Sequence, residues 1–398
     1  MLFSFPVETV KEGAAKIVVP NLKSFRKAPW EYAPSKAPVF YNSAMKLNRD
    51  MATLVLQAYQ RTVKRDTHVS EPLAGCGVRG IRFAKEVDGI QAVQMNDINP
   101  EAYKMAQHNI QLNKVADRVS IFKEDANLFL GQHAAPYKRF DYIDIDPFGT
   151  PVLYLDSAIR ALRNGGMLAL TATDLAPLCG VYPKAALRKY GGLPLRTEYC
   201  HEIALRLMLG NLATTAAKYE MGMKAVFSHS SDHYVRAYVL LSYGAKKANH
   251  SIGNMGNILH CFSCFHREPV TRFAPTVKEF CRVCGSPLKS AGPLWLGNMA
   301  DSGMCELMER EVASRTSVHW ARLAKVLTLI KQEADAPITF YVVDKICDKI
   351  NISVPPLKKV IEYLKNMNFT ALPTHFHTRG LKTTAPAKAV IKAVKNSV

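Results

Sequence analysis

The sequence predicts an α/β fold, a parallel sheet covered on both faces by helices and closed by one reversed C-terminal strand, followed by an α+β C-terminal domain. Three observations carry this reading. Residues 66–243 alternate short β-rich runs with helical patterns, the signature of βαβ units. Only Ser230-Ser231-Asp232-His233 separates the last two β-rich runs, too short for the crossover of about a dozen residues that a parallel return requires. Beyond residue 244 glycine, asparagine and paired cysteines dominate, and then helical spacing resumes with a β-rich end. At roughly 150 residues per domain the 398-residue chain divides into two or three, with boundaries expected at 1–245 and 246–398.

Five strands are expected over His68–Leu73, Ala92–Asp97, Val119–Asp125, Phe140–Asp146 and Gly166–Thr173, each ending in glycine, a carboxylate or a turn. The carboxyl ends of such strands hold the ligand in an open α/β sheet. A helical stretch through Glu202–Met208 leads to the hairpin Lys224–His229 and Tyr234–Tyr243. Further on, Trp320, Leu323, Leu327 and Ile330 fall at helical spacing, as do Val343, Ile346 and Ile350, then Leu357, Val360, Ile361 and Leu364 with Ser353 as N-cap. With the β-rich Phe369–Phe376 after them, these read as a winged helix or as an unspecialised helical bundle. The last segment carries Arg379, Lys382, Lys388, Lys392 and Lys395 and no acid, which suits a nucleic-acid-tracking tail or a frayed, solvated end.

A 48% apolar composition supports real cores, and 52 basic against 33 acidic residues leave +19. Such an excess points to an anionic partner, nucleic acid first, and away from a plain metabolic enzyme. The best apolar run, Gly165–Tyr182, is broken by Asp174, and Glu8 interrupts the start, so a soluble, cytoplasmic protein with no membrane contact is expected.

Nine cysteines, an odd number, fit a reducing compartment better than a disulfide framework. Cys261-Phe-Ser-Cys264 and Cys281-Arg-Val-Cys284 are two C-x2-C knuckles sixteen residues apart, spacing at which two reversing turns present four thiolates to one structural Zn2+. The module is expected over about 258–288, with Gly285 suited to its second turn and His260 and His266 as substitute ligands should a cysteine drop out. Cys76, Cys179, Cys200, Cys305 and Cys347 read as small core residues.

Glu71-Pro-Leu-Ala-Gly75-Cys-Gly77-Val-Arg79-Gly80 follows the first strand and opens a helix, so backbone N–H groups face the crevice as in nucleotide-binding loops. The glycines and Asp97 would serve NAD as well as S-adenosyl-L-methionine. Glu71 favours the latter, because a carboxylate before the glycines pairs with an ammonium and repels a pyrophosphate. The reversed final strand, typical of Rossmann-like methyltransferases, points the same way.

Asp146-Pro147-Phe148 ends the fourth strand, where alternation is expected to bury Tyr142 and leave Asp146 at the edge. This turn resembles the (Asp/Asn)-Pro-Pro-(Tyr/Phe) motif of methyltransferases acting on exocyclic amino groups. The lone pair of such an amine is delocalised into the ring, and acceptors on its N–H groups restore its nucleophilicity. The Asp146 carboxylate and the Pro147 carbonyl are suitable acceptors, and Phe148 offers a stacking face. An Asp-Pro turn that merely caps the next helix is the alternative.

With these motifs the chain resembles the tRNA guanine-26 N2-dimethyltransferases of archaeal type. The resemblance covers nearly the whole length, through Phe40-Tyr-Asn-Ser-Ala-Met-Lys-Leu-Asn48-Arg49-Asp50, the Gly75 loop, Asp144-Ile-Asp146-Pro-Phe-Gly149, Thr173-Asp174-Leu-Ala-Pro-Leu-Cys-Gly-Val-Tyr-Pro183, Gly292-Pro-Leu-Trp-Leu-Gly297 and Thr378-Arg-Gly-Leu-Lys-Thr383. It implies that Arg49 and Arg79 hold the cofactor, that Asp97 takes its ribose, that Asp125 and Ala126 border its adenine, that Asp146 is the catalytic acceptor, and that Phe40 and Phe148 bracket the guanine. It also implies a tRNA partner and a chain acting as a monomer. Two positions depart from the family pattern: Glu71 replaces the usual aspartate and Ser43 a common proline. Amino-methylation of ribosomal RNA or DNA, and an inactive zinc-containing RNA-binding protein, are the competing readings; Asp146 speaks against the last.

Overall fold

Each β-rich run between residues 66 and 243 forms a strand in the computed structural model, which describes residues 2–398 apart from 27, 29, 31–33, 232, 272–278 and 314–317. Asp232 of the expected hairpin loop therefore lies outside the described residues. The chain divides into two units, the first made of Met1–Pro147, Leu153–Leu170 and Leu307–Leu323, the second of Phe148–Val152, Thr171–Glu306 and Ala324–Val398.

The first unit opens with the antiparallel hairpin β1 (Val7–Glu12) and β2 (Ala15–Pro20), turned at Gly13 with φ +56°. Helix α1 (Lys46–Val63) follows, and then β3 (Thr67–Glu71), α2 (Val78–Glu86), β4 (Ile90–Asn96), α3 (Pro100–Leu112), β5 (Val119–Phe122), α4 (Ala126–Gln132), β6 (Phe140–Ile145), α5 (Leu155–Ala161) and β7 (Leu162–Ala172). The strands pair in parallel in the order β5-β4-β3-β6-β7. Helical crossovers between parallel strands cover both faces, and every residue of β6 is accordingly buried. The alternation expected to single out Tyr142 is absent for that reason. Burying Asp141 on this strand requires partners, which Arg65, Arg163 at 3.0 Å and the His68 N–H at 2.9 Å provide. Strand β5 stops at Phe122, short of the expected Asp125, because Asp125 is the N-cap of α4, accepting from the N–H groups of Asn127 at 2.9 Å and Leu128 at 3.2 Å.

In the second unit the last residues of β7, Thr171 and Ala172, are followed in sheet order by β9 (Tyr234–Tyr243) and β8 (Met221–Ser231). These two pair antiparallel, the expected reversal, and buried Arg236 donates to Thr171 Oγ1 at 2.5 Å. The helices before the hairpin are α6 (Leu175–Leu178), α7 (Pro183–Tyr190) and α8 (Cys200–Ala217), the last much longer than expected. Beyond residue 244 stand α9 (Ala245–Gly253) and a three-stranded sheet, β11 (Arg267–Val270), β10 (Met255–His260) and β12 (Lys289–Trp295) in that order.

After α10 (Ser302–Ala313) and α11 (Val318–Glu333) come β13 (Tyr341–Val342), α12 (Val343–Ile350), α13 (Leu357–Asn366), β14 (Ala371–Thr374), β15 (His377–Thr383) and α14 (Ala387–Lys395). The order β13-β15-β14, with two helices packed on it, is a winged-helix arrangement around Val343, Ile346, Val360, Leu364 and Leu381. Helix α13 begins after Pro355-Pro356, not from a Ser353 cap, because a residue preceding proline is driven out of the helical region. The basic tail is corrected as well. Ala387, Val390, Ala393 and Val394 form one buried face of α14, so the segment is neither frayed nor free. Among the described residues no helix is long and apolar enough to cross a membrane.

Candidate active site and metal centre

The loop between β3 and α2 needs its glycines for three different reasons. Gly75 and Gly77 adopt φ +55° and +78°, a region unfavourable for other residues. A Cβ on Gly75 would also meet the Phe40 carbonyl oxygen at 3.2 Å, so the N-terminal segment lies against the loop there. Gly80 is right-handed but a Cβ would come to 2.4 Å from Met95 Sδ, and close packing of α2 on β4 depends on its absence.

Glu71, at the end of β3, is buried and accepts from the Gly80 N–H at 2.9 Å. Its other oxygen faces Arg79 Nε at 3.4 Å. The cation expected beside this carboxylate is thus already supplied by the first turn of α2. Arg79 also lies 3.5 Å from Asp144 Oδ2, donates to Asn48 Oδ1 at 2.9 Å, and binds Asp146 Oδ2 through Nη2. Three carboxylates share one guanidinium. Burial, followed by the charges of Asp144 and Asp146, pushes Glu71 up to about 8 against the pull of Arg79 and the Gly80 N–H. Asp146 itself keeps 18% of its side chain exposed, so it is the member of the cluster that an incoming group can reach.

Asp97 directly follows β4, accepting from the Gly75 N–H at 2.7 Å and the Asn99 N–H at 2.9 Å, and burial raises its pKa. Asn99 in turn donates to the Pro38 carbonyl at 2.8 Å. Tyr154 stands close enough to Asp125 and Asp97 for both charges, after burial, to raise its phenol. Ala126 is buried behind Asp125. Ile98, next to Asp97, and Leu128, in the first turn of α4, are 65% and 58% exposed. Phe40 is half-buried, and Phe148 is 70% exposed after Pro147. Gly149, at φ +86°, is clamped both ways to Thr173, its N–H donating to Oγ1 at 2.8 Å and its carbonyl accepting from the Thr173 N–H at 2.9 Å.

Arg49 is buried against Glu12, its Nε donating at 2.5 Å and Nη2 at 2.7 Å, and donates also to the Asn42 carbonyl at 3.0 Å. Arg82 meets the same Glu12 at 2.9 Å and Asp50 at 2.6 Å. Despite burial, the two arginines hold Glu12 down to about 2. Sequence reasoning missed Glu12, Asn48, Asp144, Tyr154, Ile98 and Leu128. Asn48 and Asp144 stand inside the quoted motifs, but Glu12 lies on a hairpin strand with no signal.

The four knuckle sulfurs lie within 4.8 Å of one another, with Cys261–Cys284 at 3.5 Å and Cys264–Cys281 at 3.6 Å. Ligands at about 2.3 Å on a tetrahedron are roughly 3.8 Å apart, so these edges fit one Zn2+. The two turns repeat each other. Phe265 N–H donates to the Cys261 carbonyl and Gly285 N–H to that of Cys281, with φ +60° and +74° at the two positions. Gly285 does the task expected of it; Phe265 bears the same left-handed backbone, and its side chain joins the winged-helix core. The substitute histidines are outside the cluster: His260 Nδ1 pairs with Tyr199 at 3.0 Å, and His266 Nε2 lies 3.7 Å from Glu268. Cys179 and Cys200, expected in the core, are instead half-exposed and gathered with His201.

Residues 13–395 match the family described as N2,N2-dimethylguanosine tRNA methyltransferase. A relative from Methanothermobacter thermautotrophicus, named tRNA (guanine(26)-N(2))-dimethyltransferase, is 41% identical over 95% of this chain and 96% of its own length. The Aquifex aeolicus tRNA (guanine(26)-N(2)/guanine(27)-N(2))-dimethyltransferase is 35% identical over 98% and 96%. The solved structure of Trm1 from Pyrococcus horikoshii with S-adenosyl-L-methionine is similar at a TM-score of 0.85 and 33% identity, covering 97% of this chain and 99% of that one.

Proposed function

The chain belongs to the N2,N2-dimethylguanosine tRNA methyltransferase family, and on that premise we propose that it methylates N2 of guanine 26 in tRNA, once or twice, giving N2,N2-dimethylguanosine. The observation that carries the reading is Asp146, partly exposed just beyond the carboxyl end of β6 and fixed by Arg79 in a cluster with more carboxylates than cations. Its carboxylate and the Pro147 carbonyl accept the N–H groups of the amine, which directs the lone pair outward. Preorganised acceptors of this kind are worth about 10²–10³ in rate. Guanine must leave its stack to reach them, and Phe148 and Phe40 are the faces that receive it.

S-adenosyl-L-methionine, when bound, supplies the activated methyl group on a sulfonium. The residues fit such a cofactor: glycines free of Cβ atoms at the loop, Asp97 for ribose hydroxyls, Ile98 and Leu128 as apolar cover for a flat base beside Asp125 and Ala126, and acidic groups around Arg79 that tolerate added positive charge. Arg79 and Arg49 hold the carboxylate end in this reading. Cys261, Cys264, Cys281 and Cys284 hold a structural Zn2+, with all four positions filled by protein. Residues 1–245 carry cofactor and chemistry, and residues 246–398 read the tRNA, with the +19 charge drawing the phosphate backbone.

Incubation with radiolabelled S-adenosyl-L-methionine and unmodified tRNA, ribosomal RNA or DNA, followed by nucleotide mapping, tests the proposal. Label confined to guanine 26 of tRNA is expected. Label in ribosomal RNA or DNA alone, or none, would overturn it.

A further inference from the structure

Cys179 follows α6 directly, and Cys200 and His201 are the first two residues of α8. Their two sulfurs and an imidazole nitrogen lie within 4.8 Å of one another, and all three residues are half-buried, open enough for an ion to enter. The meeting is built into the backbone. Gly180, at φ +91°, packs so tightly on the segment before α8 that a Cβ would come to 2.9 Å from the Arg196 nitrogen and 3.2 Å from the Leu195 carbonyl carbon. Only glycine there lets the Cys179 turn reach the start of α8, where helix N-terminal amides favour an anionic sulfur.

We propose that Cys179, Cys200 and His201 form a second metal site, one that takes a thiophilic divalent cation such as Zn2+. Two thiols give up their protons to solvent on ligation, and the resulting charge of two thiolates and a neutral imidazole cancels that of the ion. Three protein ligands leave the fourth tetrahedral position to water, unlike the closed knuckle site. Asp174 stands one residue before α6 and accepts from Tyr190 at 2.6 Å and Lys189 at 2.9 Å; its neighbour Thr173 clamps Gly149. An ion here ties the segment that carries this clamp to α8.

The test uses the full-length protein carrying one equivalent of Zn2+, that of the knuckles, with Co2+ as the probe. An additional equivalent of Co2+ should bind, with the thiolate-to-cobalt absorption of a mixed sulfur and nitrogen site. Cys200→Ser and Cys179→Ser should each abolish that absorption, and His201→Gln, which leaves both sulfurs and is mild for folding, should weaken it. Cys261→Ser should leave it in place, which separates this site from the knuckles. Failure of the wild type to take up the additional equivalent, uptake that none of the variants at Cys179, Cys200 or His201 alters, or a protein two hydrogens lighter with Cys179 and Cys200 cross-linked in peptide maps, would overturn the site.

Discussion

Arg79 in the first unit faces three carboxylates, those of Glu71, Asp144 and Asp146, whereas Glu202 in the second unit faces two cations, Arg206 and Lys382. Both clusters are buried, yet their balance is opposite. Glu202 Oε2 lies 2.9 Å from Lys382 Nζ, Oε1 lies 2.9 Å from Arg206 Nη2, and the Thr339 N–H donates to the carboxylate at 2.9 Å. Although burial opposes ionisation, Lys382 and Arg206 hold this group down to about 2. Around Arg79 the surplus is acidic, and Glu71 is driven the other way, up to about 8. A carboxylate between two cations joins elements; several carboxylates around one guanidinium tolerate a further positive charge. The Glu202 cluster links α8 to β15 and the residues before β13, while the Arg79 cluster stands where cofactor and amine are proposed to bind.

The largest expected effect separates the two directly. Glu202→Gln leaves two buried cations without their counter-charge and should cost about 3–5 kcal/mol in urea unfolding. Cofactor affinity, measured by calorimetry on the folded protein, should remain within a few fold. Next, a ligand that meets the acidic surplus should stabilise the fold. S-adenosyl-L-methionine at a hundred times its Kd should add about 2.7 kcal/mol by mass action, and a thermal shift series shows whether it does.

Protons read the same contrast with opposite signs. Glu202 and Glu12 are lowered from 4.5 to about 2, so their stabilisation is complete above 4.5 and is lost as pH falls toward 2. Glu71 is raised from 4.5 to about 8, so its contribution is complete below 4.5 and is lost as pH rises through 8. Urea midpoints across this range should keep only the Glu12 share of their acid limb in Glu202→Gln and flatten between pH 4.5 and 8 in Glu71→Gln, in the cofactor-free protein. Curves of identical shape for both variants would break the comparison. The smallest effect belongs to α14, whose lysines point away from its buried face. Lys388→Gln should leave stability within about 0.5 kcal/mol and, if its charge meets a phosphate, reduce the log–log salt slope of tRNA binding by about 0.7–0.9.

What could be read from the sequence was local. The glycine loop, the Asp-Pro turn and the paired knuckles are each encoded within a few residues, because turn chemistry and ligand spacing are short-range properties. The β8–β9 reversal was equally legible from one loop length. The charge clusters were not. Lys382 stands 180 residues from Glu202, inside a stretch whose charges suggest a solvated tail, and Asn48 reaches Arg79 across 31 residues. No periodicity announces such pairs. The helix of the tail was written in Ala387, Val390 and Val394, but its lysines drew attention to charge over spacing. For Cys179 and Cys200, too, nothing local shows that a Gly180 contact brings them together.

In the proposed reaction Asp146 acts on the amine while Arg79 and its other carboxylates hold it in place. Single-turnover methyl transfer to unmodified tRNA by Asp146→Ala, with cofactor Kd and melting temperature measured on the same preparation, tests it most directly. A rate lower by about 10²–10³, a Kd within a few fold of wild type and a retained melting temperature are expected. Transfer at close to the wild-type rate, or a loss matched by a failure to bind cofactor, would contradict it.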